Sequence, residues 1–178
     1  MGASASCSCP WWWRSISCLY EESNCGSIKE KLSALGLTLP TAAAPVAAYV
    51  PAVKSGKLVF TAGQLPVVDG KLVKEGKVGS DVTAEDAKEL AQICALNALA
   101  AISLVADLDQ VERVVRVGGF VNCAPGFIAI PGVVNGASEL LIKVFGDING
   151  KHARTAVGVA ELPLNAPVEI ELIVQLKN

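Results

Sequence analysis

The stretch HARTAVGVAELPLNAPVEIELIVQL, residues 152–176, decides the fold. Its second half alternates between apolar and polar residues, which predicts a strand with one buried face. The residues of that face are Val168, Ile170, Leu172, Val174 and Leu176. Residues 155–162 are small and β-branched and predict another strand. Two prolines in residues 162–167 remove backbone donors, so this segment is predicted to connect the strands.

Two charged residues lie at these predicted strands. Arg154 precedes the first strand, and Glu169 lies one residue inside the second. A guanidinium presents a fork that matches a carboxylate, and poor solvation raises the proton affinity of an acid on an apolar sheet. The pair therefore resembles a site for a small organic acid. Two other interpretations remain open: a salt bridge between Arg154 and Glu169 at the rim of the sheet, or Glu169 and Glu171 facing water.

Composition restricts the class of protein. The chain has 178 residues, of which 52% are apolar, and a formal net charge of −2. This length fits one domain of about 150 residues with an additional tail. The charge provides no basic stripe for nucleic acid, which argues against a dedicated RNA-binding protein. The apolar content predicts a buried interface between subunits.

The cysteines are divided unevenly along the chain. Most lie in the first 25 residues, and only Cys94 and Cys123 occur in the body. Cysteine spacing and the single histidine, His152, provide no set of zinc ligands, so neither a metal nor another cofactor is expected. Free thiols at Cys94 and Cys123 predict a reducing, cytoplasmic compartment.

Residues 1–27 differ in composition from the remainder and are predicted to be a disordered or acylated leader, which leaves residues 28–178 as the folded domain. The first six residues, MGASAS, fit the pattern for myristoylation of Gly2, and Cys7 and Cys9 could accept palmitate. Two acyl chains would anchor the protein at a membrane, whereas one binds only marginally. The alternative is an unmodified remnant of a vector or of a wrongly assigned exon.

The remaining sequence predicts alternating strands and helices. The predicted strands are residues 48–53, 57–62, 111–121, 155–162 and 168–176, with a hairpin at Asp69 and Gly70. The predicted helices are residues 28–36, a long helix beginning at Thr83, and residues 131–145. The strand-helix-strand order implies a parallel pair with a right-handed crossover. The result is an α+β domain with one mixed sheet of about six strands and two main helices on one face. Packing between subunits is expected on the other face.

Three sequence motifs occur in a consistent order. Residues 154–163 read RTAVGVAELP and are followed by PVEIE at 167–171, residues 60–66 read FTAGQLP, and residues 48–50 read AYV. Together they resemble the RidA/YjgF family of reactive-imine deaminases, also known as endoribonuclease L-PSP, across residues 28–178. The resemblance implies a chorismate mutase-like fold and a homotrimer with a barrel core.

The resemblance also implies roles for residues of the last two strands. Arg154 matches the arginine that binds the carboxylate of a 2-imino acid, aided by the backbone amide of Ala156. Glu169 matches the acid that activates water. Ala156 itself stands where many members of the family have cysteine.

Other pocket residues follow from the same resemblance. Gly63 matches the glycine whose carbonyl meets the substrate, and Tyr49 and Asn135 match pocket residues from the same or a neighbouring subunit. Ala62 replaces a common serine, and residues 123–133 form a longer segment, richer in glycine and proline, than in the better-known members. Because that segment borders the expected pocket, the resemblance does not identify the substrate.

The residues themselves limit the chemistry. No Ser-His-Asp set is expected, because His152 has no obvious partner. Hydrolysis of an electrophilic C=N bond needs only an oriented water and proton transfer, so a sparse site suffices. The leading hypothesis is a deaminase that converts 2-imino acids or enamines to 2-keto acids and ammonia. The alternatives are a non-enzymatic trimer that binds small carboxylates or acts as a chaperone, an endoribonuclease, and a chorismate mutase-like enzyme.

Overall fold

The structure, a computed structural model, describes residues 26–42 and 48–178. The predicted acylation sites at Gly2, Cys7 and Cys9 lie outside this part of the chain. Within it, every helix is too short or too polar to cross a membrane.

The described part of the chain contains three α-helices and seven strands. The helices are α1 (Ile28–Ala34), α2 (Ala84–Ser103) and α3 (Ile130–Asn149). The strands are β1 (Ala52–Ser55), β2 (Leu58–Thr61), β3 (Val67–Val68), β4 (Lys71–Leu72), β5 (Val111–Asn122), β6 (Ala153–Val159) and β7 (Val168–Leu176).

Five strands form one mixed sheet in the order β1-β2-β7-β5-β6, and β3 and β4 form a separate hairpin. β6 runs parallel to β5, and the other neighbours are antiparallel. The predicted α+β class and the parallel pair around α3 are therefore confirmed. The main sheet has five strands rather than about six, because the hairpin at Asp69 and Gly70 pairs only with itself.

The alternation predicted for β7 is confirmed. Buried and half-buried residues alternate along the whole strand, and the buried ones are the predicted apolar face. Ile173 is the one apolar residue among the half-buried ones. The two long helices cover the apolar face of the sheet, as shown by the buried Cys94 of α2, whose Sγ lies 3.6 Å from the Val168 carbonyl oxygen. Cys94 and Cys123 are free thiols, as predicted. The main core thus lies between the sheet and the helices α2 and α3.

Two differences from the predicted strand boundaries affect candidate site residues. β6 begins at Ala153, so Arg154 lies inside the strand rather than before it. β1 begins at Ala52, so Tyr49 lies outside the ladder. Pro51 immediately precedes that ladder and has no backbone donor to contribute to it.

The end of α3 is set by Gly146. Gly146 has φ 81° and ψ 168°, a conformation that interrupts the helix where the sequence predicts its end. A further turn follows, in which the Gly150 amide donates to the Gly146 carbonyl over 2.8 Å. This turn leads into β6 and sets the position of the residues that precede Arg154.

The two long helices approach each other closely at Gly136 of α3. A Cβ added there would overlap the backbone carbonyl oxygen of Lys88 in α2. Because backbone cannot move aside as a side-chain tip can, Gly136→Ala is expected to destabilise the fold by about 1–3 kcal/mol. The free energy of unfolding in urea measures this effect.

Gly132 provides a matched control in the same helix. A Cβ at Gly132 meets no atom within 4 Å. Gly132→Ala is therefore expected to be neutral or to raise stability by up to about 1 kcal/mol. Equal losses for the two variants would contradict a close contact at Gly136.

Candidate active site

Arg154 extends from the edge strand β6 toward helix α3. Its register partner in β5 is Val117, which is fully buried beneath the helices, so both side chains leave the sheet on the same face. Arg154 Nη1 donates to Asn135 Oδ1 over 2.7 Å and to Ser138 Oγ over 3.2 Å. Arg154 nevertheless remains exposed. Helix α3 thus holds one end of the guanidinium while the rest faces solvent.

These contacts leave one edge of the guanidinium available. Nη1 has two hydrogens, and the two bonds to α3 use both. Among the described residues, no hydrogen bond is formed by Arg154 Nε or Nη2, and no acidic side chain pairs with it. A carboxylate binds a guanidinium through two parallel N–H donors. The Nε/Nη2 edge can therefore bind a planar anion, and the salt bridge to Glu169 that the sequence left open does not form.

A chain of hydrogen bonds continues from Arg154 into the protein. Ser138 Oγ lies 3.0 Å from His152 Nε2, and His152 Nδ1 lies 2.6 Å from the Gly150 carbonyl oxygen. A carbonyl only accepts, so we assign the proton to Nδ1, which leaves Nε2 to accept from the Ser138 hydroxyl. The expectation that His152 has no obvious partner is wrong.

Protonation of His152 is disfavoured in this position. Burial lowers the pKa of His152, and the charge of Arg154 lowers it further, against the opposing effect of the hydrogen bond to Gly150. The neutral imidazole is therefore the form that bonds to Ser138 near neutral pH.

Glu169 lies on the opposite face of the sheet. It stands between the buried Val168 and Ile170, so its side chain points away from the helices. Its carboxylate lies against Gly63, where an added Cβ would overlap a carboxylate oxygen. Burial raises the pKa of Glu169, and the neighbouring charge of Glu171 raises it further. The half-buried Glu169 therefore does not simply face water, and its raised pKa makes its carboxylate a better proton acceptor than that of an exposed glutamate.

Arg154 and Glu169 do not converge within one protomer. β5 separates their strands, and its Val117 is level with Arg154 whereas its Phe120 is level with Glu169. The two side chains also leave the sheet on opposite faces. The expectation that neighbouring C-terminal strands bring both into one pocket is therefore wrong for a single chain.

The other predicted site residues divide between these two places, with one exception. Asn135 lies with Arg154, and Ala156 follows two residues later in β6, partly buried against the core. Gly63 lies with Glu169. Tyr49 is 51% exposed and precedes β1, at the edge of the sheet opposite β6. The single chain therefore does not bring Tyr49 to Arg154.

Ser138 and His152 were not identified as site residues from the sequence. Ser138 follows Asn135 by three residues, a spacing that places both on one face of a helix. His152 precedes Arg154 by two residues. These two spacings were the available signal, but they become informative only once α3 is known to pack against β6.

Two surface clefts lie elsewhere on the protein. One, of about 380 Å³, is bordered by Leu35, Lys88 and Gly136 among others, and the second, of about 330 Å³, lies beside Ile28 and Asp109. Neither is lined by Arg154 or Glu169. The candidate site is therefore defined by its polar groups rather than by either cleft.

The raised pKa of Glu169 predicts a pH-dependent contribution to stability. The folded chain binds this proton more tightly than the unfolded chain, so ionisation costs stability as the pH rises through the two pKa values. Glu169→Gln cannot ionise and is expected to be more stable than the parent at about pH 8 and to lose that advantage below about pH 4. Urea unfolding at both pH values measures the difference.

The control for this prediction is Glu89→Gln, which changes an exposed glutamate of α2. It is expected to give no comparable pH-dependent gain. An advantage of Glu169→Gln that is the same at both pH values would contradict the assigned pKa direction.

Comparison with known proteins assigns the chain to a family. Residues 29–176 match the family model described as "YjgF/chorismate_mutase-like, putative endoribonuclease". The chain is 42% identical over 154 residues to Protein TCP17 of Trypanosoma cruzi, covering 86% of this chain and 96% of that protein. It is 32% identical over 136 residues to a RutC family protein of Aquifex aeolicus, covering 75% of this chain and 93% of that protein.

The chain also has the same fold as a solved structure. A protein of unknown function from Agrobacterium tumefaciens has a TM-score of 0.78 and 43% sequence identity, with 89% of this chain and 99% of that chain covered. The chain therefore belongs to the YjgF/chorismate mutase-like family, as its motifs predicted.

Proposed function

We propose that the protein is a deaminase that hydrolyses 2-imino acids, or related enamines, to 2-keto acids and ammonia. The observation that carries the proposal is the Arg154 guanidinium, which α3 holds through Nη1 while the Nε/Nη2 edge makes no hydrogen bond to a described residue. That edge matches the carboxylate shared by substrates and products of this reaction. Glu169, with its raised pKa, supplies the group that moves protons.

The proposal requires a second protomer. A substrate bound to Arg154 cannot reach Glu169 of the same chain, because the sheet lies between them. A second copy that packs its Glu169 face near the β6 edge of the first brings the two groups together. Such an interface joins two different surfaces, and three copies related by rotation close it into a ring.

The sheet face away from the helices carries exposed apolar side chains that a second copy of the chain would bury. Val53, Phe60 and Ile173 are aligned across β1, β2 and β7 on the side away from the helices. Val53 is 51% exposed and Phe60 is 39% exposed. Adjacent exposed apolar side chains on a sheet are typical of an interaction surface.

The reaction follows from these groups. Arg154 binds the substrate carboxylate, and Glu169 of a second protomer takes a proton from water as the water oxygen bonds to the imine carbon. The electron pair of the C=N bond passes to nitrogen, which takes the proton held by Glu169 and becomes an amine. Glu169 then accepts the proton of the new hydroxyl group and passes it to the amine as the C–N bond breaks, so that the C=O bond forms and ammonia leaves. The imine and one water thus give the keto acid and ammonia.

Asn135 contributes a polar group beside the carboxylate. Its Oδ1 accepts from Arg154, and its Nδ2 makes no hydrogen bond to a described residue. This amide can therefore donate to the substrate while its oxygen keeps the guanidinium in place.

The test uses 2-iminopropanoate or 2-iminobutanoate generated in situ, with the rate of imine loss as the readout. The wild-type protein is expected to accelerate hydrolysis above the rate in buffer. Binding of the corresponding 2-keto acid is measured in parallel by calorimetry. No acceleration by a folded oligomer would contradict the deaminase proposal.

A module that binds small carboxylates without turnover is the second candidate. The separation of Arg154 from Glu169 within one chain favours this function, because a single chain then has the carboxylate-binding guanidinium without a proton-transferring carboxylate beside it. Binding of a 2-keto acid by a protein that leaves imines unchanged would support this function. The endoribonuclease alternative predicts cleavage of single-stranded RNA, for which the net charge of −2 provides little attraction.

A further inference from the structure

We propose that Ser138 and His152 are positioning residues that orient the Arg154 guanidinium toward its anionic ligand. The inference rests on the proposed function only in taking Arg154 as the carboxylate-binding group. The geometry behind it is one continuous chain: Gly150 carbonyl, His152 imidazole, Ser138 hydroxyl and Arg154 Nη1, with successive separations of 2.6, 3.0 and 3.2 Å.

The direction of every hydrogen bond in this series follows from the Gly150 carbonyl at its end. The Gly150 carbonyl only accepts, so His152 donates from Nδ1 and accepts at Nε2. The Ser138 hydroxyl therefore donates to His152 and turns an oxygen lone pair toward Arg154. If His152 offered no acceptor, the hydroxyl hydrogen could rotate toward Nη1 and compete with the bond from Arg154.

The hydrogen-bonded series and Asn135 both accept from the same nitrogen of Arg154. Asn135 Oδ1 accepts one hydrogen of Nη1 and Ser138 Oγ accepts the other. Two acceptors fix both the position of Nη1 and the plane of the guanidinium. The plane fixes in turn the direction of the free Nε/Nη2 edge, which is the part that meets the carboxylate.

The Ser138 and His152 pair also has the composition of a nucleophile and its base. A positioning role fits the surroundings better, because the Ser138 hydroxyl is engaged on both sides and the residue is only 9% exposed. A nucleophilic serine needs access to an electrophile. Reaction with a fluorophosphonate probe separates the two roles, and labelling at Ser138 would overturn the positioning role.

The main experiment measures, on the intact oligomer, the binding of 2-oxopropanoate by calorimetry and the steady-state hydrolysis of 2-iminopropanoate. Ser138→Ala and His152→Leu are expected to weaken binding and raise KM by roughly 3- to 10-fold, with kcat nearly unchanged, since each loosens the support of the guanidinium without removing the guanidinium itself. Ser138→Thr and His152→Gln keep a hydroxyl and an acceptor and are expected to restore most of the affinity. Ser103→Ala, which removes a helical hydroxyl whose one bond among the described residues is to the Ala100 carbonyl, should change neither binding nor KM.

A double variant tests whether the effect passes through Arg154. If Ser138 acts only by orienting the guanidinium, adding Ser138→Ala to Arg154→Ala must leave the residual affinity unchanged. Additive losses, or a fall in kcat at constant Kd, would overturn the positioning role.

The outcomes for the two proposals are separable. A wild-type protein that binds 2-oxopropanoate without turning over imines contradicts the deaminase, while the Kd series still decides the positioning role. A wild-type protein that turns over imines, with unchanged Kd and KM in Ser138→Ala, contradicts only the positioning role. A wild-type protein that binds no 2-oxopropanoate and turns over no imine overturns both.

Discussion

Arg154→Ala is expected to lower kcat/KM for imine hydrolysis by on the order of 100-fold, because the loss of charge-assisted hydrogen bonds to a carboxylate costs about 3 kcal/mol. Most of the loss should appear in KM. The carboxylate does not change during hydrolysis, so Arg154 is expected to bind the ground state and the transition state about equally. Steady-state rates with 2-iminopropanoate generated in situ measure both constants.

Two further variants separate the contribution of the bidentate guanidinium geometry from that of the positive charge. Arg154→Lys keeps the charge but cannot form the bidentate contact, so its kcat/KM is expected to lie between those of Arg154→Ala and the parent. Lys143→Ala removes an exposed cation from α3, the helix that holds Arg154, and should have little effect. An Arg154→Ala protein with unchanged kcat/KM would show that the carboxylate binds elsewhere.

Glu169→Gln is expected to lower kcat by about 100- to 10,000-fold with a small change in KM, which is the range for losing a general acid-base group. The amide is close to isosteric with the carboxyl group but cannot accept the proton of the attacking water. The pH profile of the parent should show kcat rising as Glu169 ionises, at a pH above the ordinary pKa of glutamate, because burial raises that pKa. Initial rates at saturating imine measure the effect.

Glu171→Gln is the matched control on the same strand and face. Its charge contributes to the raised pKa of Glu169, so removing it should lower that pKa and shift the rising limb of the pH profile to lower pH. The maximal kcat should stay within about 10-fold of the parent, far above that of Glu169→Gln. Equal losses of kcat for both variants would contradict a special role for Glu169.

The sequence predicted the sheet where the periodicity was unambiguous. In β7, one face is entirely apolar and the other is polar except for Ile173, so only one orientation buries the apolar set. In β6, small residues occupy both faces, with Ala156 and Gly158 on one and Thr155 on the other. Periodicity therefore could not assign a face to Arg154, and for this reason the expected convergence with Glu169 was wrong within one chain.

The contacts of His152 could not be predicted for a different reason. They depend on the turn after Gly146, which returns the chain to the edge of the sheet beside α3. Ser138 and His152 are separated by 14 residues and meet only in the folded chain. Local patterns report on which residues form a helix or strand, but not on the distance between two neighbouring elements.

The central claim is that each active site takes Arg154 from one protomer and Glu169 from another, and mixed oligomers of two inactive variants test it most directly. Arg154→Ala and Glu169→Gln chains are unfolded together at equal concentration, refolded, and compared with each variant refolded alone. In a ring of three, every mixed oligomer contains one site with both native residues, so random assembly should recover about a quarter of the parental activity. If both residues of a site came from one chain, every site in the mixture would carry a substitution, and activity no higher than that of the separate variants would contradict the shared site.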